Sequence, residues 1–310
     1  MVLSSLSEPA KGRIARVDIG GLPVGGQTAL AFHRFEGEVP FLPRMALEVW
    51  DTAPEDWPQP LADIYGAVWH DPVAWAEKAV TLGAEMLVLR LMGGGAKGDA
   101  KATAETAGVA AAVVEATGIP AVILGPGEPE RDAEVGKAVA AALSGKHCFL
   151  GMAEEVNHRA LGAAALGYGQ GVIASSPIDV NLAKQLNVLL SRLGLEESAI
   201  IMDPTTGALG YGLEYSYTVF ERIRLAALTQ NDQKMQVPII ALVGGESWKT
   251  KESRAGEAEL PGAGDRLTRG VLWEAVTGLT LALAGADILA LRHPRSVQLL
   301  RTAFDSLSRT

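Results

Sequence analysis

At 310 residues, with 48% hydrophobic and 20% charged side chains, the chain has the composition of a folded protein with a large core. A net charge of −9 argues against a basic surface for nucleic acid, and no apolar run reaches the length of a membrane span. The single cysteine, Cys148, excludes an internal disulfide and any iron–sulfur cluster or Cys-based zinc site supplied by this chain alone. The N-terminal "MVLSSLSEPAKGR" has no apolar signal core, so the chain reads as cytoplasmic.

Residues 1–44 stand outside any repeat. "GRIARVDIG" and "QTALAFHRF" predict a hairpin-like extension that caps the bottom of the domain formed by residues 45–310. From residue 44 onward a short apolar run, a loop of Gly, Pro, Asp or Ser, and an Ala-rich amphipathic stretch recur. The predicted strands are 44–51, 84–91, 119–125, 147–151, 171–175, 198–203, 237–244 and 286–292. Helices follow them at roughly 72–83, 100–117, 130–143, 154–167, 178–193, 213–229, 266–284 and 294–308. Near-continuous apolar strands alternating with helices indicate a parallel sheet covered on both faces. Eight such units over about 265 residues predict an α/β fold of the (β/α)8 TIM-barrel type. An open doubly wound sheet is the alternative, disfavoured by the unbroken rhythm.

Boundary residues support these elements. Asp71-Pro72, Ser176-Pro177 and His293-Pro294 read as helix openings, while Gly83, Gly118, Gly194 and Gly285 stand where a left-handed residue ends a helix. In 213–229, Leu213, Tyr217, Phe220, Ile223, Ala227 and Leu228 form one apolar stripe. The polar stretch 245–270 is longer than an ordinary connection and reads as a functional insertion.

In a barrel of this type the site lies where strands end and βα loops begin. Those positions carry Asp51, Arg90 with "MGGGAKGD", "GPGEPE" (125–130), "GMAEE" (151–155), "SSP" (175–177), "DPTTGALGYG" (203–212), "GGESW" (244–248) and "RHP" (292–294). Asp51 and Asp203 are a candidate carboxylate pair, against the plainer reading that each caps a loop. A metal site from His293, Asp203 and Glu246 lacks any supporting HxH or HExxH spacing. His33 reads as structural or interfacial, and His70 and His147 as structural. No G-x-S-x-G elbow or Walker loop occurs, and "MGGGAKGDA" reads first as a flexible loop. Met92, Met152 and Trp248 either line the site or pack the core. The upper face is thus rich in hydroxyls and backbone donors, suited to a large polar ligand, with no catalytic residue or metal ligand assigned.

Four segments, "FHRFEGE", "ASSPIDVNLAKQLN", "DPTTGALGYGLEYSYTVFERIRLAAL" and "RGVLWEAVTGLTLALAGADILALRHP", resemble the family of small (delta) subunits of the corrinoid/iron–sulfur protein. That protein belongs to the CO dehydrogenase/acetyl-CoA synthase (acetyl-CoA decarbonylase/synthase) system, and the likeness runs from about residue 11 to the end. The resemblance implies a TIM barrel in a heterodimer with a larger subunit that carries a 4Fe–4S cluster and a mobile corrinoid (cobalamin) domain. The corrinoid would take a methyl group from methyltetrahydrofolate or methyltetrahydropterin through a methyltransferase and deliver it to acetyl-CoA synthase in the reductive acetyl-CoA (Wood–Ljungdahl) pathway. It further implies cofactor contacts from Ser175, Ser176, Asp203, Thr205, Thr206, Gly207, Gly210, Tyr211, Gly212, Gly244 and Glu246. On this reading the chain is a non-catalytic or co-catalytic subunit with no cluster of its own. The D-x-H-x-x-G corrinoid motif is missing around His33, so no histidine here is signalled as a cobalt ligand. The loop "RLMGGGAKGD" departs from the acid that relatives tend to carry after strand two. A stand-alone pterin-dependent methyltransferase barrel is the alternative, weakened by Gly244-Gly245 at the position where such enzymes use an Asn.

Overall fold

The structure, a computed structural model, describes residues 10–207, 209 and 212–308. An antiparallel hairpin comes first, β1 (Val17–Ile19) and β2 (Leu22–Val24). Its turn residues Gly20 and Gly21 both have positive φ, 55° and 95°. A two-residue turn of this kind matches the twist of the flanking strands and suits glycine. The second arm is therefore nearer than "QTALAFHRF"; residues 28–37 run as bends and turns instead.

Eight parallel strands follow: β3 (Arg44–Trp50), β4 (Met86–Arg90), β5 (Ala121–Leu124), β6 (Phe149–Ala153), β7 (Gly171–Ser175), β8 (Ile200–Asp203), β9 (Ile240–Ala241) and β10 (Ile288–Leu291). Each pairs with its neighbour in chain order, and β3 pairs with β10. A parallel bridge between Met202 and Ile239, with Met202 N–H donating to Pro238 O at 2.8 Å, brings β8 against the start of β9 and closes the ring. The fold is a TIM barrel.

The helices are α1 (Gln59–Tyr65), α2 (Pro72–Thr81), α3 (Ala100–Thr117), α4 (Pro129–Ala142), α5 (His158–Tyr168), α6 (Val180–Arg192), α7 (Leu213–Leu228), α8 (Val243–Ser247), α9 (Lys251–Arg254), α10 (Arg266–Ala284) and α11 (Pro294–Leu307). Among the described residues no helix is long and apolar enough to cross a membrane. Asp71 caps α2, and Gly83, Gly118, Gly194 and Gly285 all take positive φ after helices. Three boundaries differ from expectation. α6 starts at Val180, because Asp179 accepts the N–H groups of Asn181 and Leu182 at 2.7 and 3.0 Å, leaving Ser176-Pro177 in the loop. α5 starts at His158, after a turn in which Glu154 N–H donates to Asn157 Oδ1 at 2.7 Å. The seventh barrel strand stops at Ala241, since α8 begins at Val243 and, with α9, gives the 245–270 insertion helical structure.

Strand side chains alternate between faces, so each barrel strand sends one set inward and one outward. The outward set, including Leu47, Leu89, Ile123, Met202 and Leu291, packs on the helices. The inward set (Ala46, Met86, Val88, Val122, Leu124, Phe149, Ile173, Ile201, Ile240, Ile288 and Ala290) fills the barrel. Val17, Ile19 and Val24 of the hairpin join that interior cluster. Arg44, the first residue of β3, donates from Nε to Pro23 O at 3.2 Å, and Gly20 lies beside Pro120 and Lys146, just before β5 and β6. The hairpin thus plugs the end where the strands begin.

Candidate functional site

The opposite end stays open. Two residues beyond the last apolar layer, the same inward alternation places polar groups: Glu48 after Ala46, Arg90 after Val88, Ser175 after Ile173, Asp203 after Ile201 and Arg292 after Ala290. They line a cavity of about 470 Å³ together with Trp50, Met92, Pro126, Met152, Thr205, Thr206, Leu242 and Gly245. Asp56, Glu154, Glu246 and Lys249 stand at its more exposed edge.

Glu48 is the electrostatic centre of the floor. Arg292 donates to both its oxygens, Nε to Oε2 at 3.1 Å and Nη2 to Oε1 at 3.0 Å; the Trp50 indole donates to Oε1, and Arg90 Nε lies 3.7 Å away. Burial alone would raise this carboxyl, but the Arg292 and Arg90 charges and the hydrogen bonds override it and hold it at about 2. Arg292 is fixed from every side. Its guanidinium lies 4.4 Å from the Trp57 ring centre, Tyr65 donates to its carbonyl at 2.9 Å, and Glu274 of α10 accepts its N–H at 2.6 Å. Glu274 also takes the His293 N–H at 3.1 Å, and burial pushes its carboxyl up to about 7 against these hydrogen bonds.

Asp203, at the end of β8, is 2% exposed. Ser175 Oγ donates to Oδ2 and Thr205 N–H to Oδ1, both at 3.0 Å. Burial pushes Asp203 up to about 6 despite these bonds and the Arg90 charge, and Glu246 adds to the rise. Thr205 itself has φ 64°, an uncommon conformation for a β-branched residue, and its hydroxyl donates to Ser176 O. That turn exposes Gly207 and leaves Thr206 Oγ1 buried, without a hydrogen-bond partner among the described residues.

Of the residues singled out from sequence, Ser175, Asp203, Thr205, Thr206 and Glu246 converge on this cavity. Ser176, whose hydroxyl is also buried and unpartnered among the described residues, lines an adjoining cleft with Ser175, Glu154 and Leu182. Gly212 lies farther out, in an apolar groove with Leu213, Leu272 and Val276. Gly210 and Tyr211 lie outside the described residues. Gly244 is buried in α8, where an added Cβ would stand 2.8 Å from Arg292 Cγ and 3.0 Å from Glu274 Oε1; its neighbour Gly245 lines the cavity.

Asp51 and Asp203 do not form a pair across the mouth: Asp51 accepts the N–H groups of Met92 and Gly93 at 2.6 and 3.0 Å and is absent from the cavity wall. The loop after β4 is tied down by Asp51, by Arg131 donating to Gly94 O, and by a Lys97–Glu130 ion pair. His293 caps α11, its Nδ1 accepting the Arg295 N–H at 3.1 Å, and its ring stacks on buried Trp248. Among the described residues no group of three His, Cys, Asp or Glu side chains is placed to share a metal ion. Trp248 is core, while Met92 and Met152 line the cavity. Sequence reading missed Glu48 altogether. The signal was one acid inside "RMALEVW", in phase with the inward residues.

Fold and mouth together define an α/β barrel of the TIM type whose open end is lined by buried polar groups. Solved structures of this architecture include dihydropteroate synthases from Stenotrophomonas maltophilia (TM-score 0.58, 17% identity, covering 94% of this chain and 97% of that one). The enzyme from Xanthomonas albilineans gives a TM-score of 0.56 at 18% identity, covering 96% of this chain and 100% of that one. At such identities the likeness is one of fold. The chain belongs to the CO dehydrogenase/acetyl-CoA synthase delta subunit family, whose model matches residues 20–300. It is 38% identical over 305 residues to the acetyl-CoA decarbonylase/synthase complex subunit delta of Methanothermobacter thermautotrophicus, covering 96% of this chain and 77% of that protein. To the same-named subunit of Archaeoglobus fulgidus it is 34% identical over 290 residues, covering 92% of this chain and 64% of that protein.

Proposed function

We propose that this chain is the small subunit of a heterodimeric corrinoid/iron–sulfur methyl carrier. It accepts a methyl group from methyltetrahydrofolate or a methyltetrahydropterin through a methyltransferase and passes it to acetyl-CoA synthase. The larger subunit holds the cluster and a mobile corrinoid domain, and the open end of this barrel forms the other wall of the corrinoid site. Membership of the delta-subunit family carries the reading. The local chemistry fits such a cofactor. Thr206 and Ser176 carry buried hydroxyls without partners among the described residues, and exposed Gly207 offers backbone with no Cβ in the way. When bound, the corrinoid would supply the methyl-accepting centre; Ser176, Thr205, Thr206 and Gly207 would orient its polar periphery and exclude water from one face.

Co-expression with a cysteine-rich corrinoid subunit, under anaerobic conditions, tests this. The expected product is a one-to-one heterodimer containing cobalt and a 4Fe–4S cluster, with both metals absent from this chain purified alone. Failure of the two chains to associate, or methyl transfer from a methylpterin by this chain alone, would reject the assignment.

A further inference from the structure

The N-terminal extension differs from the barrel it plugs in both charge and composition. Within residues 10–44 five cations, Lys11, Arg13, Arg16, Arg34 and Arg44, stand against three acids, Asp18, Glu36 and Glu38, on a chain whose net charge is −9. The same stretch holds Phe32, Phe35 and Phe41, three of the six phenylalanines in the protein. Arginine and aromatic side chains are the types enriched where proteins meet. Residues 28–38 form a loop closed at its base, where Thr28 N–H donates to Glu38 O and Glu38 N–H to Thr28 Oγ1, both at 2.9 Å. Phe32 anchors this loop on Phe304 of α11, with ring centres 5.4 Å apart. Phe35 is left 74% exposed, stacked on His33 at 5.2 Å, and Glu36 holds His33 in turn. Ordering a side chain before a partner arrives lowers the entropic cost of contact.

Glu38, three residues on from Phe35, also borders a cleft of about 500 Å³ with Arg13, Arg16, Pro40, Phe41 and Glu197. Both acids there are already neutralised, Glu38 by Arg13 at 2.7 Å and Glu197 by Lys234 at 2.8 Å. Arg16 is not. It makes no hydrogen bond or ion pair among the described residues, and its guanidinium lies 5.3 Å from the Phe41 ring centre. A polyphosphate or nucleic acid would bring several negative charges against Glu38 and Glu197. An uncharged peptide would leave the Arg16 charge unmatched. A single carboxylate beside an apolar side chain suits both the cation and the aromatic wall. We infer that this lower face docks an acidic peptide segment of another protein subunit. A Glu or Asp carboxylate of that segment pairs with Arg16, and its apolar neighbours pack on Phe41, Pro40 and Phe35. The face lies where the barrel strands begin, so its occupancy is independent of whatever fills the mouth. It rests on the function proposed above only in taking this chain as one component of a complex.

The full chain is titrated by fluorescence anisotropy with a fluorescein-labelled decapeptide of alternating Glu and Leu. A Gln–Leu peptide and tripolyphosphate are the controls. The Glu–Leu peptide should bind, more weakly as salt rises, and Arg16→Gln should weaken it about fivefold. Lys11→Gln removes an exposed cation outside the cleft and should leave binding unchanged. Thermal melts check that both variants fold. Absence of binding, equal binding of the Gln–Leu peptide, displacement by equimolar tripolyphosphate, or equal losses in the two variants would overturn the inference. In the complex with its co-expressed subunits, p-benzoylphenylalanine in place of Gln233, on the cleft wall, should cross-link to an acidic segment of a partner. Cross-links confined to this chain or to a second copy of it would count equally against the inference. Chains that fail to associate would reject the methyl-carrier assignment, while the peptide titration still decides this face.

Discussion

Glu48 and Asp203 share one buried mouth, yet their carboxyls move in opposite directions, because Glu48 has two guanidiniums and Asp203 has only neutral donors in contact. Asp203 rises from 3.8 to about 6 in the folded chain. Between those values the native state keeps a proton that the unfolded chain has released, so this group lowers stability as pH rises from about 4 to about 6. Asp203→Asn removes that titration. Relative to the wild type, the variant should gain about 2 kcal/mol between pH 4 and 6.5, measured by urea unfolding across that range. A pH-independent difference would mean that folding does not raise the Asp203 carboxyl. Glu48 has the opposite sign: its contribution is present above 4.5 and lost as pH falls toward 2. Asp203 was legible because it ends an apolar strand just before a glycine-rich loop. Glu48 was not, since an acid within an apolar run announces its burial only once two arginines from other strands are known to meet it.

At the scale of elements, the helix after β8 shows how a sequence stripe and a tertiary lock differ. Phe220, Ile223, Ala227 and Leu228 bury the apolar face of α7 as their spacing predicts. Arg224 is buried beside them. It donates from Nε to Gly285 O at 2.9 Å and from Nη1 to Val237 O at 3.0 Å, and it pairs with Asp287, which in turn accepts the Ile239 N–H at 2.7 Å. This arginine ties α7 to the starts of β9 and β10. Gly285 must lack a side chain there, since a Cβ would fall 2.3 Å from Arg224 Cγ. Arg224→Met keeps much of the volume but strands the Asp287 carboxylate, and it should cost about 3–5 kcal/mol in urea unfolding. Adding Asp287→Asn should restore part of that loss. A single-variant loss below about 1 kcal/mol would remove this pair from the lock.

Across the whole molecule, the barrel is filled from below by the hairpin and left polar above. We propose that residues 1–44 act as an extension of the barrel domain of residues 45–310, not as an independent unit, because Val17, Ile19 and Val24 complete the interior cluster. Ile19 is fully buried. Ile19→Ala should therefore destabilise the entire chain by about 2–5 kcal/mol in one cooperative transition, followed by circular dichroism in denaturant. A separate early transition with an unchanged main one would show that the extension folds on its own.

The strand–helix rhythm, with its capping Asp and terminal Gly residues, was enough to determine the TIM barrel, because period, length and helix-end chemistry are local properties of the chain. It also placed Asp203, Ser175 and the threonine–glycine loop at the ligand end, since βα loops of a barrel share one face. The hairpin's second arm and the turn of the seventh strand into α8 were misplaced, because each depends on where a turn closes and not on apolar pattern alone. Only the closed barrel decided that Glu48, Arg90, Arg292 and Asp203 form one neutral floor. Their spacing along the chain carries no such information, while the alternating faces of parallel strands bring them to the same height inside the ring.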